Sequence, residues 1–266
     1  MTGDWTSKVV EFCETFNIPL EFLADTLNEP KVIPMIRGKA FEFSVIIGLK
    51  EVLPDSIWEV DHPTINAQSG LHDVDVSVVH RASGKKIRLE CKLAKKGSFK
   101  TLENGQSEIR VKCMRSRTLG EEMVKSLAPK WGVPRNVLKT HNDQYLPSNF
   151  DVVITSIGNS FYETNSAGIF VWQPTSAGKE FLNRLGGTKN GSLKDFAFQQ
   201  MYLVRSSDIA IGLYTGIKCT RRSCRNKNRC GFIPNYPIIK FSSSSPNPLN
   251  GWTPIAEASN FFQKLI

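Results

Sequence analysis

Two stretches of the chain hold residues whose types and spacing can do chemistry. The first is 70–93, which reads Gly-Leu-His-Asp-Val-Asp-Val-Ser-Val-Val-His, then Arg-Ala-Ser-Gly-Lys, then Lys-Ile-Arg-Leu-Glu-Cys-Lys-Leu. Val74, Val76 and Val78 alternate with Asp73, Asp75 and Ser77, a period of two that puts both aspartates on one face of a strand. Ile87, Leu89, Cys91 and Leu93 alternate with Arg88, Glu90 and Lys92 in the same way, and Ser83-Gly84 between the halves predicts a hairpin. A two-residue turn there sets Asp75 opposite Lys92 and Ser77 opposite Glu90, so two carboxylates and an ammonium share one patch. Carboxylates this close repel, and a hard divalent cation, Mg2+ by this logic, removes the repulsion while leaving positions for water and phosphate. Lys92 then stabilises a pentavalent phosphorane or orients the attacking water.

The second stretch is 219–230, where Cys219, Cys224 and Cys230 are separated by five basic residues and no acid. Neighbouring cations favour thiolates, the form that binds Zn2+ or an iron-sulfur cluster. The spacing is not Cys-x2-Cys, so a fourth ligand must come from Cys13, Cys91, Cys113 or a histidine. The same composition also suits a basic DNA-contacting loop with free thiols.

The elements that must position these groups follow from hydrophobic period. Val9, Phe12, Cys13 and Phe16 predict a packing helix over 5–17 with Asp4 at its N-cap, and 20–27 a second short one. Residues 35–52 form an apolar helix ended by Pro54, with Glu42 a single acid among Ala40, Phe41, Phe43, Val45 and Ile46. Strands are expected at 57–60, 109–113, 151–157, 169–172 and 201–204, and helices at 121–127, ending before Pro129, and 176–185; 142–148 reads as a loop. The fold class is α/β, a mixed central β-sheet flanked by helices. Residues 1–266 are expected to form a single domain with a catalytic core about 35–160 and a basic, cysteine-containing C-terminal extension about 205–266.

Asp75 with Glu90-Cys91-Lys92 on a hairpin resembles the Asp…Glu-x-Lys signature of the PD-(D/E)XK nucleases, a superfamily that includes most type II restriction endonucleases; the resemblance covers roughly 37–93. It implies a restriction-endonuclease-like core in which Asp75 and Glu90 hold Mg2+, Lys92 assists the attacking water, and Glu42, on the upstream helix after Arg37, completes the site. No proline precedes either aspartate, so Asp73 stands as the alternative to Asp75. About 170 residues follow the hairpin. That favours a type II restriction enzyme over a DNA-repair or junction-resolving nuclease, and a palindromic target implies a homodimer on double-stranded DNA.

Lys plus Arg exceed Asp plus Glu by 34 to 25, a net charge of +9 that favours a polyanionic partner. The run after the hairpin supplies Lys95, Lys96, Lys100, Arg110, Lys112, Arg115 and Arg117, and the cysteine loop Arg221 and Arg222, as candidate phosphate or base contacts. Lys95-Lys96-Gly97 has the makings of a backbone clamp. The N-terminus lacks the pattern of a signal peptide and no apolar run is long enough to span a membrane, which predicts a soluble cytoplasmic protein. The rival class is a non-catalytic nucleic-acid-binding protein with a cysteine-bound metal, which has no need of Asp75 and Glu90 beside Lys92.

Overall fold

The structure is a computed structural model that describes residues 4–63, 74–166, 169–187 and 191–266. The chain divides into two compact units, 1–43 and 44–266, the division falling within one helix. The first unit holds α1 (Trp5–Thr15), α2 (Leu23–Asn28) and the start of α3 (Ile33–Val52). Asp4 caps α1 by accepting the Thr6 N–H at 3.1 Å, and Pro34 sits in the first turn of α3, where a missing N–H has no intrahelical partner to lose. The spacing in α1 does not make it a packing helix. Cys13 is its buried residue, while Phe12 and Phe16, one turn apart, lean on each other at 4.9 Å and stay exposed.

The second unit runs through β1 (Trp58–Asp61), β2 (Val76–His80), β3 (Lys86–Cys91), β4 (Lys100–Thr101), β5 (Ser107–Arg110), α4 (Glu121–Lys130), α5 (Arg135–Thr140) and β6 (Val152–Ser156). It continues with β7 (Tyr162–Thr164), β8 (Phe170–Trp172), α6 (Ser176–Arg184), α7 (Leu193–Gln199), β9 (Met201–Arg205), β10 (Ile238–Phe241), β11 (Thr253–Pro254) and α8 (Ala258–Gln263). The main sheet has the order β1-β2-β3-β6-β9-β11 and is antiparallel except between β3 and β6. A parallel pair needs a crossover, and residues 92–151 make it, carrying β4, β5, α4 and α5. The expected mixed α/β sheet flanked by helices is therefore present.

Both faces of this sheet are covered. On one, Val76, Val78, Ile87 and Leu89 are buried, Trp58 meets Phe262 of α8 at 5.8 Å, and Gly48 lets α3 come so close that an added Cβ would lie 3.1 Å from Ile255. On the other, Val153, Tyr202 and Val204 share a core with Ile109, Val111, Ile239, Phe241 and Phe181. Ile109 lies on β5, which with β10 and β4 forms a second, three-stranded sheet rather than a further strand of the first, and β7 and β8 form a two-stranded sheet.

Several expectations change with the packing. α4 runs through Pro129 to Lys130, and Trp131 N–H still reaches the Leu127 carbonyl at 2.9 Å. The 142–148 stretch is a loop as expected, but Gln144, Tyr145 and Leu146 within it are buried. Residues 205–266 are not an appended extension either: β10 pairs with β5 and β11 with β9, so the C-terminal quarter is woven into both sheets. Among the described residues, no helix is long and apolar enough to cross a membrane.

Candidate functional site

The β2–β3 hairpin pairs Val76 with Leu89, Ser77 with Arg88, Val78 with Ile87 and Val79 with Lys86. Its loop is the four residues 81–84, closed by His80 N–H to the Lys85 carbonyl (2.9 Å) and Gly84 N–H to the His80 carbonyl (2.8 Å), with Gly84 at φ +68. That is two residues longer than the turn Ser83-Gly84 alone, and an even slip keeps every side chain on its face while changing its partner. Ser77 therefore faces Arg88 rather than Glu90. Continued by one step, the register sets Asp75 opposite Glu90 instead of Lys92. Asp73 lies outside the described residues.

The charged face of the hairpin is buried at its centre and half-buried at Asp75, Arg88 and Lys92. Glu90 is 4% exposed and Ser77 is fully covered. Asp75 Oδ2 accepts the Cys91 N–H at 2.8 Å, which ties the end of β2 to β3, and Glu90 Oε1 pairs with Lys92 Nζ at 2.6 Å. Lys92 N–H donates to the Ile154 carbonyl at 2.9 Å, so the backbone that carries the ammonium is held by β6.

Three side chains that spacing could not reveal complete the patch. Tyr145 donates its hydroxyl to Glu90, and its ring lies 5.5 Å from Lys92 Nζ. Arg115 lays its guanidinium 4.5 Å over the same ring and 5.3 Å over Trp131, and spends its donors on the Gln144 carbonyl (3.1 Å) and Asn149 Oδ1 (2.9 Å). Cys113 is fully buried beside them, and burial together with Glu90 pushes its thiol up to about 12, against the opposing pull of Lys92. Burial works to lower Lys92, but the charges of Glu90, Tyr145 and Asp75 outweigh it and hold the ammonium well above its ordinary value. Burial and Glu90 likewise raise Tyr145 above the usual phenol range, and burial lowers Arg115.

The remaining predicted residues fall in different places. Glu42 is buried on α3 within the 1–43 unit, with Oε2 2.8 Å from Lys39 Nζ. Lys95 sets its ammonium 4.9 Å over Tyr236, and Lys96 lies 3.9 Å over Phe170 and meets Thr164 Oγ1. Gly97 is required by its φ of +61. Lys100, Lys112, Arg117 and Arg222 are exposed, and Arg110 is half-buried on β5. Arg115 and Arg221 turn inward. Arg221 donates to Gln144 Oε1 (2.9 Å), to the Thr140 carbonyl (3.0 Å) and to Asp143.

The cysteine cluster closes on a histidine. His141, directly after α5, joins Cys219, Cys224 and Cys230 in a group whose ligand atoms all lie within 4.8 Å of one another, while Cys13, Cys91 and Cys113 stand outside it. Cys219 and Cys224 are buried, Cys230 is half-buried, and all are free thiols. The loop is curled by Cys219 N–H to the Lys227 carbonyl (2.7 Å) and Cys224 N–H to the Arg221 carbonyl (3.2 Å). Its end is stitched down by Gly231 N–H to the Ile211 carbonyl (3.1 Å). Three sulfurs and an imidazole in this arrangement can bind a metal such as Zn2+. Compared with family models, curated proteins and solved structures, the chain matches none.

Proposed function

We propose that the protein is a Mg2+-dependent endonuclease of the PD-(D/E)XK kind that hydrolyses phosphodiester bonds in double-stranded DNA, acting as a type II restriction enzyme. The observation that carries this reading is the patch where half-buried Asp75, just before β2, accepts the Cys91 N–H and buried Glu90 of β3 pairs with Lys92 at 2.6 Å. A solvated hairpin would place these charges in water. Here Glu90 is buried at a desolvation cost of several kcal/mol per ion, an arrangement that clusters at functional sites.

The donor set fits the metal: both carboxylates offer oxygen, which hard dications take. Asp75 and Glu90 are the residues that would hold Mg2+, which when bound would supply Lewis acidity for phosphodiester hydrolysis. Lys92, kept charged by Glu90 and Asp75, stabilises negative charge that develops on the phosphoryl oxygens rather than accepting a proton. Tyr145, kept protonated, orients the Glu90 carboxylate through its hydroxyl, and Arg115 braces the Tyr145 ring. The +9 charge and the exposed Lys100, Lys112, Arg117 and Arg222 provide for the polyanion, and a palindromic target calls for a homodimer. The second reading, a non-catalytic nucleic-acid-binding protein, is favoured by the His141/Cys219/Cys224/Cys230 group alone.

Incubation with plasmid DNA and Mg2+, followed by sequencing of the ends, tests the proposal. Asp75→Asn is the sharpest variant, because an amide oxygen still accepts the Cys91 N–H while the charge is lost. It should abolish cleavage and leave DNA affinity in place. Undiminished cleavage by this variant, or binding without cleavage by the wild type, would overturn the assignment; cutting only of four-way junctions would move it to the junction-resolving branch.

A further inference from the structure

We infer that His141, Cys219, Cys224 and Cys230 hold one structural Zn2+, with His141 bound through Nε2, and that this site both shapes the basic loop 219–230 and moors the segment 141–145. The second part rests on no assumption about cleavage. With Zn–S near 2.3 Å and Zn–N near 2.0–2.1 Å, ligand atoms of a tetrahedral site stand roughly 3.3–3.8 Å apart. A group already within 4.8 Å thus needs to contract by about 1.5 Å at most. Four atoms gathered that closely enclose a single ion, whereas iron-sulfur clusters are characteristically held by four cysteines.

An independent observation points to the metal. His141 is fully buried, and its Nε2 has no hydrogen-bond partner among the described residues. Its other nitrogen, Nδ1, meets Gln144 Oε1. The orientation of that amide is set on both sides, since Gln144 Nε2 donates to the Ile233 carbonyl at 2.9 Å and Arg221 Nε donates to Oε1 at 2.9 Å. An oxygen only accepts, so Nδ1 carries the proton and Nε2 the lone pair, the tautomer a metal requires. The ring is clamped in place by stacking on Phe232, centroids 4.4 Å apart and planes 12° from parallel. His141, Cys224 and Cys230 also line a cleft of about 510 Å³, which gives the ion a path in.

The loop itself argues for a staple. Among the described residues, the buried apolar cluster around Cys219 and Cys224 adds Ile211, with Ile217 and Cys230 at its margin, too little to offset the ordering of twelve largely polar residues. Three thiols give up three protons to solvent and their thiolates bind the ion, so folding of the loop is linked to ligation. All four positions are filled by protein, which marks a structural rather than a catalytic site. The same ligation fixes the segment after His141. Arg221 joins the loop to Asp143 and Gln144, Arg115 N–H and Nε take the carbonyls of Asp143 (2.9 Å) and Gln144 (3.1 Å), and Ile233 N–H takes that of Tyr145 (2.8 Å).

Protein purified without chelator should contain about one zinc per chain by elemental analysis. Replacement by Co2+ should give thiolate-to-metal charge-transfer bands and the intense visible bands of a tetrahedral site. His141→Ala should lose most of the metal, and His141→Cys should recover it. Removal of zinc from the wild type should raise hydrogen exchange across 141–145 and 219–233 while β2 and β3 keep their protection. These readouts do not need cleavage, so they stand or fall apart from the nuclease reading. Wild-type protein free of zinc with all three thiols reactive, protein carrying iron and sulfide, full metal content in His141→Ala, or exchange unchanged by chelation would each overturn the inference.

Discussion

Glu90 and Lys92 show how burial changes the value of an ion pair. Exposed pairs contribute roughly 0–1 kcal/mol, whereas breaking a buried one leaves an uncompensated charge and costs about 3–5 kcal/mol. With side chains 6% and 20% exposed and 2.6 Å apart, this pair belongs to the second kind. Lys92→Ala is therefore expected to lose stability as well as cleavage, seen as a lower urea midpoint, and Asp75→Asn to lose cleavage alone. Tyr145→Phe should cost about 1.5–3 kcal/mol, the range for a hydrogen bond to a charged group, and slow cleavage by freeing Glu90; an unchanged urea midpoint would remove Tyr145 from the site. The same residues set an alkaline limit. Cys113 is raised from 9.0 to about 12, Lys92 lies well above 10.5, and Tyr145 lies above 10.0. In each case the folded state keeps a proton that the unfolded state has released. Their stabilisation is thus whole at neutral pH and falls once pH passes about 9, by up to about 1.4 kcal/mol per unit for each such proton. Melting temperature followed from pH 7 to 11 should be level and then drop, and Cys113→Ala should remove the earliest part of the fall.

The hairpin loop sets the register that brings Asp75 to Glu90, and Gly84 sets the loop. At φ +68 it occupies the left-handed region, and an added Cβ would meet nothing within 4 Å among the described residues, so Gly84→Ala isolates backbone strain from packing. The expected cost is about 1–2 kcal/mol, or roughly 2–8 °C in melting temperature, with the site otherwise intact. Cleavage by this variant at permissive temperature should match the wild type. A loss of activity without a loss of stability would mean that the loop touches DNA.

Across the whole molecule, the net charge of +9 is divided between cations that face water and cations that hold the fold. Lys100 and Lys112 are exposed, while Arg221 is consumed by Gln144, Thr140 and Asp143. DNA affinity should fall steeply with salt, and Lys100→Ala with Lys112→Ala should lower the log-log slope by about 0.9 for each phosphate contact removed. Arg221→Ala should instead show its effect in metal content and thermal stability. An unchanged slope in the double variant would place the phosphate contacts on other cations.

Parity, local spacing and composition were legible in the chain; anything that depended on where a distant segment comes to rest was not. The alternation of Asp75 with Val76 and of Glu90 with Cys91 determined which side chains share a face, and an even error in turn length could not disturb it, because a strand repeats every two residues. The Glu90–Lys92 pair, two residues apart on one strand, was local in the same sense. Whether that face met water was a tertiary matter: the long crossover between β3 and β6 carries Tyr145 and Arg115 over it, and no periodicity within 70–93 records that path. The same crossover supplied His141 to three cysteines far along the chain, and turned Arg115 inward although its neighbours in sequence read as one basic run. Local pattern follows from backbone geometry a few residues long, while burial and ligation follow from chain segments that only the packed core brings together.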